Sequence, residues 1–238
     1  MNTASSTAVG SAKLPLHIQI SELLTREIQA GLLADGEKLP PERTLAQSLN
    51  VSVGTLRKAL HDLEDKGLLM RVQGSGNYIN KKLDVENVYA LFKLELLKGG
   101  GLPSADLLSV KRLVKPSDVP TLGGSKRAFR FRRLRKLNGI LVAAEEVWLD
   151  GGYTKTIDED RVSESLYLFY KEVLGFWITK TEDRVSISPL PSWAEPLWPN
   201  SGNSQFGFVE RISKDQDLKT AEYSRTWFDT TCACYVSR

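Results

Sequence analysis

The densest run of positive charge lies at residues 126–136, which read Lys-Arg-Ala-Phe-Arg-Phe-Arg-Arg-Leu-Arg-Lys. Seven of these residues are basic and none is acidic, so the run is suited to binding anions. If the run is a β-strand, its side chains alternate between two faces. One face then carries two aromatic residues and two arginines: Phe129, Phe131, Arg133 and Arg135. An aromatic face is expected to be buried, and a buried guanidinium needs an anionic partner, either an internal carboxylate or a ligand.

The same run has a second interpretation as a nucleic-acid patch, because its basic residues are interleaved with aromatic ones. Strand alternation argues against a simple patch, since it places Arg133 and Arg135 on the buried face and only Arg130 and Arg132 on the other.

The turn after this run decides whether Glu145 can join the two arginines. Asn138-Gly139 favours a two-residue hairpin loop that pairs Leu137 with Ile140. Regular pairing from that loop would place Glu145 on the face opposite to Arg133. A shared site therefore requires an extra loop residue or a β-bulge, which shifts the alternation by one residue. We predict that irregularity.

Residues 39–80 contain the second candidate surface, whose residue types suit contact with DNA. Pro40 and Pro41 are typical of a helix start, where a missing N–H group costs nothing. Asn50 tolerates a left-handed turn, and Ser52 can cap a following helix. The pattern predicts two short helices joined by a tight turn.

In the second of these helices one face is apolar and the other is not. The apolar stripe consists of Leu56, Leu60 and Leu63, and the opposite face carries Gly54, Lys58 and His61. Two short predicted strands then flank Gly74-Ser75-Gly76. Such an arrangement is a winged helix-turn-helix, whose second helix enters the major groove of DNA.

These motifs resemble the DNA-binding domain of the GntR family of bacterial transcription regulators. The resemblance rests on Leu39-Pro40-Pro41-Glu42-Arg43, Val51-Ser52, Thr55-Leu56-Arg57, Ala59-Leu60, Leu63, Gly67-Leu68-Leu69 and Gly74-Ser75-Gly76. It implies binding to double-stranded operator DNA through Arg43, Ser52, Val53, Gly54, Thr55, Arg57, Lys58, Gln73, Gly74 and Ser75. Val53 stands where such domains usually have an arginine, so the base preference at that position is open.

The elements that must position the arginines follow in the second part of the chain. Predicted strands cover 107–114, 128–137, 140–149, 177–188, 206–214 and 219–236, the last with an interruption. One helix is predicted from Ser163 or Ser165 to Gly175, and another carries Val88, Leu91, Phe92 and Glu95 and stops at Gly99. Many strands with few helices predict an α+β domain around an antiparallel sheet.

A second resemblance rests on Arg133-Leu134-Arg135, Asn138-Gly139, Glu145, Ser165-Leu166-Tyr167, Gly175, Arg211 and Glu222-Tyr223-Ser224. These residues resemble UTRA, the effector-binding domain of the HutC subfamily, which is similar in fold to chorismate lyase. The resemblance implies a small-molecule pocket formed by Arg133, Arg135, Glu145, Ser165, Tyr167, Glu222 and Phe228. Guanidinium groups bind carboxylate and phosphate in a planar fork, so we expect a small anionic effector.

Two departures from the UTRA pattern bear on whether the effector carries a phosphate. Sugar-phosphate-binding relatives have a hydroxyl residue near the start of this domain, but no Ser or Thr occurs between Ser75 and Ser104. Leu141 also replaces a proline that is common after the turn. A phosphate is therefore either held by other groups or absent.

An enzyme of the chorismate-lyase type is the rival class, with Glu145-Glu146 as an acid–base pair. The sequence has no Ser-His-Asp, Cys-His or metal-ligand constellation, so we expect no catalysis and no cofactor. A third class, a constitutive DNA-architectural protein, predicts that no ligand shifts the melting temperature.

Two short motifs have simple structural interpretations. Cys232 and Cys234 are predicted on one face of a strand, where core packing is favoured over a metal site. The glycines at 99–101 are not followed by Gly-Lys-Ser/Thr, so they predict a flexible turn rather than a phosphate loop.

Length and composition complete the prediction. The 238 residues suggest two domains, with a disordered arm at 1–13, a DNA-binding domain at 14–80, a linker at 81–84 and an effector-binding and dimerisation domain at 85–238. No apolar run is long enough to span a membrane, and two cysteines fit a reducing cytoplasm. The net charge of +3 does not by itself indicate DNA binding. We expect a cytoplasmic, homodimeric, ligand-responsive transcription regulator that acts as a repressor.

Overall fold

The structure, a computed structural model, describes residues 14–29, 31–80, 92–198 and 205–237. Its chain divides into two compact units, residues 14–93 and residues 94–236. The predicted arm at 1–13 and the linker at 81–84 lie outside the described residues. No helix in the described ranges is long and apolar enough to cross a membrane.

The first unit consists of three helices followed by a hairpin. Its elements are α1 (Leu16–Gln29), α2 (Glu42–Ser48), α3 (Val53–Asp65), β1 (Leu69–Val72) and β2 (Gly76–Ile79). β1 pairs antiparallel with β2 around the turn at 73–75. The order of elements is that of a winged helix-turn-helix, as predicted, and the hairpin is its wing.

Local chemistry sets the bounds of α3. The Ser52 hydroxyl accepts a hydrogen bond from the Thr55 amide at 3.0 Å and caps the first turn. Asn50 has φ 53°, the left-handed conformation that turns the chain between α2 and α3. Gly67, with φ 71°, allows the chain to leave the helix. The predicted cap at Ser52 and the predicted left-handed turn at Asn50 are confirmed.

The second unit is organised around a six-stranded antiparallel sheet. Its strands are β4 (Pro103–Val114), β5 (Arg127–Leu137), β6 (Ile140–Asp150), β7 (Ile178–Ser188), β8 (Phe206–Asp215) and β9 (Thr220–Phe228). Their spatial order is β4-β5-β6-β9-β8-β7, so β4 and β7 form the two edges. A separate two-stranded pair joins β3 (Leu94–Leu96) to β10 (Ala233–Tyr235).

Each face of this sheet is covered by a different part of the chain. The helix face carries Phe129 and Phe131, which pack against α4 (Leu166–Phe169). The loop face carries Leu134 and Trp227, which pack against Leu190 and Ala194 of the segment between β7 and β8. Both faces of the central strands are therefore buried, and polar side chains there need internal partners.

Two predictions about the second unit need correction. The predicted helix that includes Glu95 is wrong, because residues 94–96 form β3 and pair with β10; its earlier residues Val88 and Leu91 lie outside the described residues. Cys232 lies in the turn before β10, so the two thiols do not share a strand, and both are half-buried rather than in the core. The predicted helix from Ser165 to Gly175 is confirmed in its bounds; it begins as one α-helical turn and continues as a π-helix over Tyr170–Leu174.

Candidate functional site

The exposed face of α3 is the first candidate site. Leu56, Leu60 and Leu63 are each 0% exposed, which turns the opposite side of α3 outward. Lys58 and Gly54 lie on that outer side and are exposed, as the helical spacing of the three leucines predicts. Apart from the chain neighbours of Gly54 and the backbone of α3, the nearest atom to a Cβ at Gly54 is Oγ of Ser52 at 3.8 Å, so a side chain fits on this side of the helix.

Two arginines on this surface are held by carboxylates of neighbouring elements. Arg57 on α3 donates from Nε to Oε2 of Glu42 on α2 at 2.7 Å. Arg71 on β1 forms an ion pair with Glu64 on α3 at 3.0 Å. These pairs join α2, α3 and the wing while leaving both guanidinium groups at the surface. Fixed guanidinium groups of this kind are suited to contact DNA phosphates.

The ten residues predicted to bind DNA all lie on α2, on α3 with its cap, or in the turn of the wing. Exposed members are Arg43, Ser52, Gly54, Arg57, Lys58, Gln73, Gly74 and Ser75, and half-buried members are Val53 and Thr55. Arg71 lies on β1 of the wing, and its ion pair with Glu64 holds its side chain beside α3.

The second candidate site depends on the turn between β5 and β6. Leu137 pairs with Ile140 and Lys136 with Leu141, but Arg135 pairs with Ala143. Val142 is therefore an extra residue, a β-bulge, and from this point Arg133 lies directly opposite Glu145. The predicted irregularity is confirmed.

Arg133 and Arg135 lie on the helix face of β5 and are only 5% and 4% exposed. Arg133 donates from Nε to Oε2 of Glu145 at 2.9 Å. Both arginines donate from Nη1 to the carbonyl oxygen of Glu164, each at 3.1 Å. Burial raises the pKa of Glu145, but the charges of Arg133 and Arg135 outweigh it and hold that pKa below its usual value. An internal carboxylate thus partners Arg133.

A second carboxylate, Glu222 on β9, is 2% exposed and accepts three hydroxyl hydrogen bonds. The donors are Tyr170 at 2.6 Å, Ser213 at 3.0 Å and Tyr167 at 3.2 Å. Burial raises the pKa of Glu222, and the negative charge of Glu145 adds to this, while the Tyr170 hydrogen bond opposes it. Here hydroxyl groups, rather than a guanidinium, satisfy the buried carboxylate.

A second ion pair lies closer to the β7 edge of the sheet. Arg211 on β8 donates to both carboxylate oxygens of Asp183 on β7, at 2.6 and 2.7 Å. The Tyr235 hydroxyl on β10 donates to the same carboxylate. Burial lowers the pKa of Arg211, but its interactions with Tyr167 and Asp183 outweigh burial and raise that pKa above its usual value.

We refer to these groups on the helix face as the polar cluster: Arg133, Arg135, Glu145, Tyr167, Tyr170, Asp183, Arg211, Ser213 and Glu222. Five of the seven predicted effector residues belong to it. Ser165 caps α4, with its hydroxyl accepting from the Leu168 amide at 3.3 Å, and directly follows the Glu164 carbonyl that both arginines contact. Phe228 is 5% exposed and lies opposite Ala143, in the row of the sheet that contains Arg135.

Sequence reasoning did not assign four members of this cluster to the pocket: Tyr170, Asp183, Ser213, and Arg211, which entered only as part of the UTRA resemblance. Tyr170 follows Tyr167 by three residues, a helical spacing that could have indicated a shared face. Ser213 alternates with Arg211 along β8, which likewise places both on one face. Asp183 had no such signal, because only the pairing of β7 with β8 places it beside Arg211.

The polar cluster gathers guanidinium and hydroxyl groups, which suit recognition of a polar ligand, between the helix face of the sheet and α4 with its continuation. Its acids each accept hydrogen bonds from arginine or hydroxyl donors, an arrangement suited to recognition. Within the described ranges, no group of three His, Cys, Asp or Glu side chains is arranged to hold a metal ion.

Comparison with known proteins covers both units. Residues 16–79 match the profile described as bacterial regulatory proteins, gntR family, and residues 98–231 match the UTRA domain. The HTH-type transcriptional regulator SmoD of Agrobacterium fabrum is 52% identical over 225 residues, which cover 94% of this chain and 96% of that protein. The mannosyl-D-glycerate transport/metabolism system repressor MngR of Escherichia coli is 26% identical over 231 residues, with 91% and 92% covered.

Among solved structures, that of the possible transcriptional regulator YydK from Bacillus subtilis has a TM-score of 0.54 at 20% sequence identity. The alignment covers 94% of this chain and 99% of that chain. The likeness establishes the same fold.

Proposed function

Because the chain belongs to the GntR family of transcription regulators and carries a UTRA domain, we propose that it is a repressor released from its operator by a small anionic metabolite. A sugar phosphate is the leading candidate for that metabolite. The protein acts in the cytoplasm as a homodimer, in the manner of the HutC subfamily. It binds and releases DNA without catalysing a reaction.

The exposed face of α3 supports the choice of DNA as one partner. Arg57 and Lys58 are exposed there, and the wing is held beside α3 by the Arg71–Glu64 ion pair. A homodimer of such heads reads two half-sites about one helical turn apart, so the operator is an inverted repeat. Phosphate contacts by Arg57 position the head, and Lys58 reads bases.

The observation that carries the effector proposal is the pair of buried arginines at 133 and 135 on one face of β5. Guanidinium groups pair with carboxylate and phosphate with high geometric specificity, whereas a neutral ligand would not compensate their positive charge. The neighbouring hydroxyls of Tyr167 and Ser213 are suited to hydrogen-bond a hydroxylated ligand. The name of MngR, which refers to mannosyl-D-glycerate, is in line with a sugar-derived anion.

Glu145 gives the proposed site a means of responding to the ligand. Its carboxylate pairs with Arg133. An anionic ligand competes with Glu145 for that guanidinium, so binding rearranges β6 relative to β5. Such a ligand lowers operator affinity only through its different affinities for the two states, with a coupling of about 1–3 kcal/mol.

Screening and linkage together test the proposal. Sugar phosphates, phosphonates and organic acids are compared with neutral sugars for a rise in melting temperature. The anion that stabilises the protein should also weaken binding to a fluorescent operator, and the operator should weaken that anion by the same factor. Arg133→Ala with Arg135→Ala should bind the operator but fail to respond to the anion.

Lys111→Ala, which removes an exposed basic residue of β4, is the matched control and should respond as the wild type does. The proposal fails if a neutral sugar is the inducer, or if the double variant is folded and still binds the anion with wild-type affinity. Failure of every compound to change either measurement would favour the DNA-architectural alternative.

A further inference from the structure

The two edges of the six-stranded sheet differ in how they are protected from pairing. An exposed edge strand offers free N–H and C=O groups to another strand, and proteins block such edges with proline, bulges or charge. β4 has all three: Pro103 at its start, a register shift between Leu107 and Ser109, and the exposed pair Lys111-Arg112. This edge is blocked.

β7 forms the other edge; it carries charged residues of both signs, but it has no proline, and its pairing from Lys180 to Ser188 has no register shift. Its eleven residues pair with β8 on one side, and no strand in the described part of the chain pairs with its outer side. Its only register shift lies between Ile178 and Lys180, so the segment from Lys180 to Ser188 pairs with β8 without a bulge. Val185 and Ile187 are 52% and 71% exposed on this strand, an apolar pattern that favours a covering partner.

The charges of β7 point to a second copy of itself as that partner. Glu182 and Arg184 flank Asp183, face the loop side of the sheet and, within one chain, pair with each other at the surface at 3.3 Å. When two β7 strands run antiparallel with Asp183 at the centre, each Glu182 lies opposite Arg184 of the other copy. The two opposite-charge pairs stabilise that alignment.

Neighbouring alignments are disfavoured by the same charges. In the joined sheet, each side chain must lie opposite a side chain of the same face. The pairing can therefore shift only by two residues at a time, which moves the centre from Asp183 to Glu182 or to Arg184. One such step in either direction places Arg184 opposite Arg184, or Glu182 opposite Glu182, and like charges directly opposite are destabilising. The charge pattern therefore favours the register centred on Asp183 over the two neighbouring alignments.

At the centre of that register the two Asp183 residues approach each other, but neither is an uncompensated charge. Each carboxylate accepts two hydrogen bonds from Arg211 of its own chain and one from Tyr235. Val185 then lies opposite Thr181 of the other copy, a pairing of two residues that favour strands.

We infer that β7 pairs antiparallel with β7 of a second copy, in the register centred on Asp183, and joins the two sheets into one. The inference rests on the proposed homodimer and names its surface. Main-chain hydrogen bonds supply the affinity of this interface, and the Glu182–Arg184 pairs supply its register.

Charge reversal tests the register directly, since both side chains are well exposed, at 75% for Arg184 and 63% for Glu182. Glu182→Arg and Arg184→Glu should each convert both attractive pairs into repulsive ones and weaken dimerisation about tenfold or more in sedimentation dilution series. The double variant Glu182→Arg with Arg184→Glu should restore wild-type dimerisation. A mixture of the two single variants should form a heterodimer, because every pair is again opposite in charge.

Lys111→Glu makes a similar charge change on β4 and should leave dimerisation unchanged. Circular dichroism checks that each variant is folded. A wild-type dimer that neither single reversal weakens would overturn the inference and leave the proposed homodimer standing. A wild-type protein that stays monomeric at micromolar concentration would overturn both.

Discussion

Arg211 on β8 binds both carboxylate oxygens of Asp183 on β7, with distances of 2.6 and 2.7 Å. Both side chains are largely buried, at 12% and 9% exposed, so each depends on the other for charge compensation. The pair joins β7 to β8, and Arg211 also interacts with Tyr167 of the polar cluster. This geometry predicts that the pair is sensitive to removal of one partner.

Arg211→Met should lower the free energy of unfolding by about 3–5 kcal/mol, because it leaves a buried carboxylate without its guanidinium. Lys219→Met provides the control, since Lys219 pairs with Asp217 at the surface, with side chains 71% and 57% exposed. That change should cost less than about 1 kcal/mol. Urea unfolding measures both values, and equal decreases would contradict the prediction.

The Arg133–Glu145 pair should behave as a unit. Arg133→Met removes the guanidinium that Glu145 pairs with and should destabilise the protein by about 3 kcal/mol. Adding Glu145→Met should recover part of that stability, because the carboxylate that needed the guanidinium is then absent. A double-mutant cycle on urea unfolding gives the coupling, and strictly additive effects would show that the two side chains do not interact.

Glu222 should make stability fall as the pH rises. Its pKa in the folded protein lies above the ordinary glutamate value of 4.5, so the folded state retains a proton at a pH where the unfolded state has released it. The stability of the wild type relative to Glu222→Gln should therefore decrease from about pH 5 upward, until the pH passes the folded-state pKa. Urea unfolding at several pH values measures this difference.

Glu145→Gln is the control of opposite sign for that experiment. The pKa of Glu145 is lowered in the folded protein, so its contribution is present above the ordinary value of 4.5 and disappears as the pH falls below it. The difference in the free energy of unfolding between wild type and variant should thus change above pH 4.5 for Glu222→Gln and below pH 4.5 for Glu145→Gln. The same trend in both would contradict the assignment of the two carboxylates.

On the DNA side, Arg57→Ala should weaken binding on every sequence and reduce the salt slope by about 0.9 for each phosphate that the variant no longer neutralises. Lys58→Ala and Gly54→Arg should instead change which bases are preferred. The open space around Gly54 makes the arginine compatible with a folded α3. Binding to an operator library at several salt concentrations separates these effects, and wild-type behaviour of all three variants would exclude α3 as the reading helix.

Much of the architecture follows from local sequence. The stripe of Leu56, Leu60 and Leu63 predicts α3, because a helix must bury its one apolar face. The alternation of Phe129, Phe131, Arg133 and Arg135 predicts which face of β5 is buried, because strand side chains alternate strictly. Even the bulge between β5 and β6 was predictable once Glu145 was required to face the arginines.

Pairings between distant segments were beyond such reasoning. Periodicity could not show that residues 94–96 form β3, because a three-residue strand is defined by its partner β10, which lies at the other end of the chain. It also could not show that the Glu164 carbonyl joins the two arginines, since main-chain acceptors have no residue-specific signature. The sequence by itself determined most of the elements, their faces and the two domain families, because these depend on neighbouring residues. Only the tertiary structure decided which charges meet, as with Asp183 and Arg211, because strand pairing is set by the packing of the whole sheet.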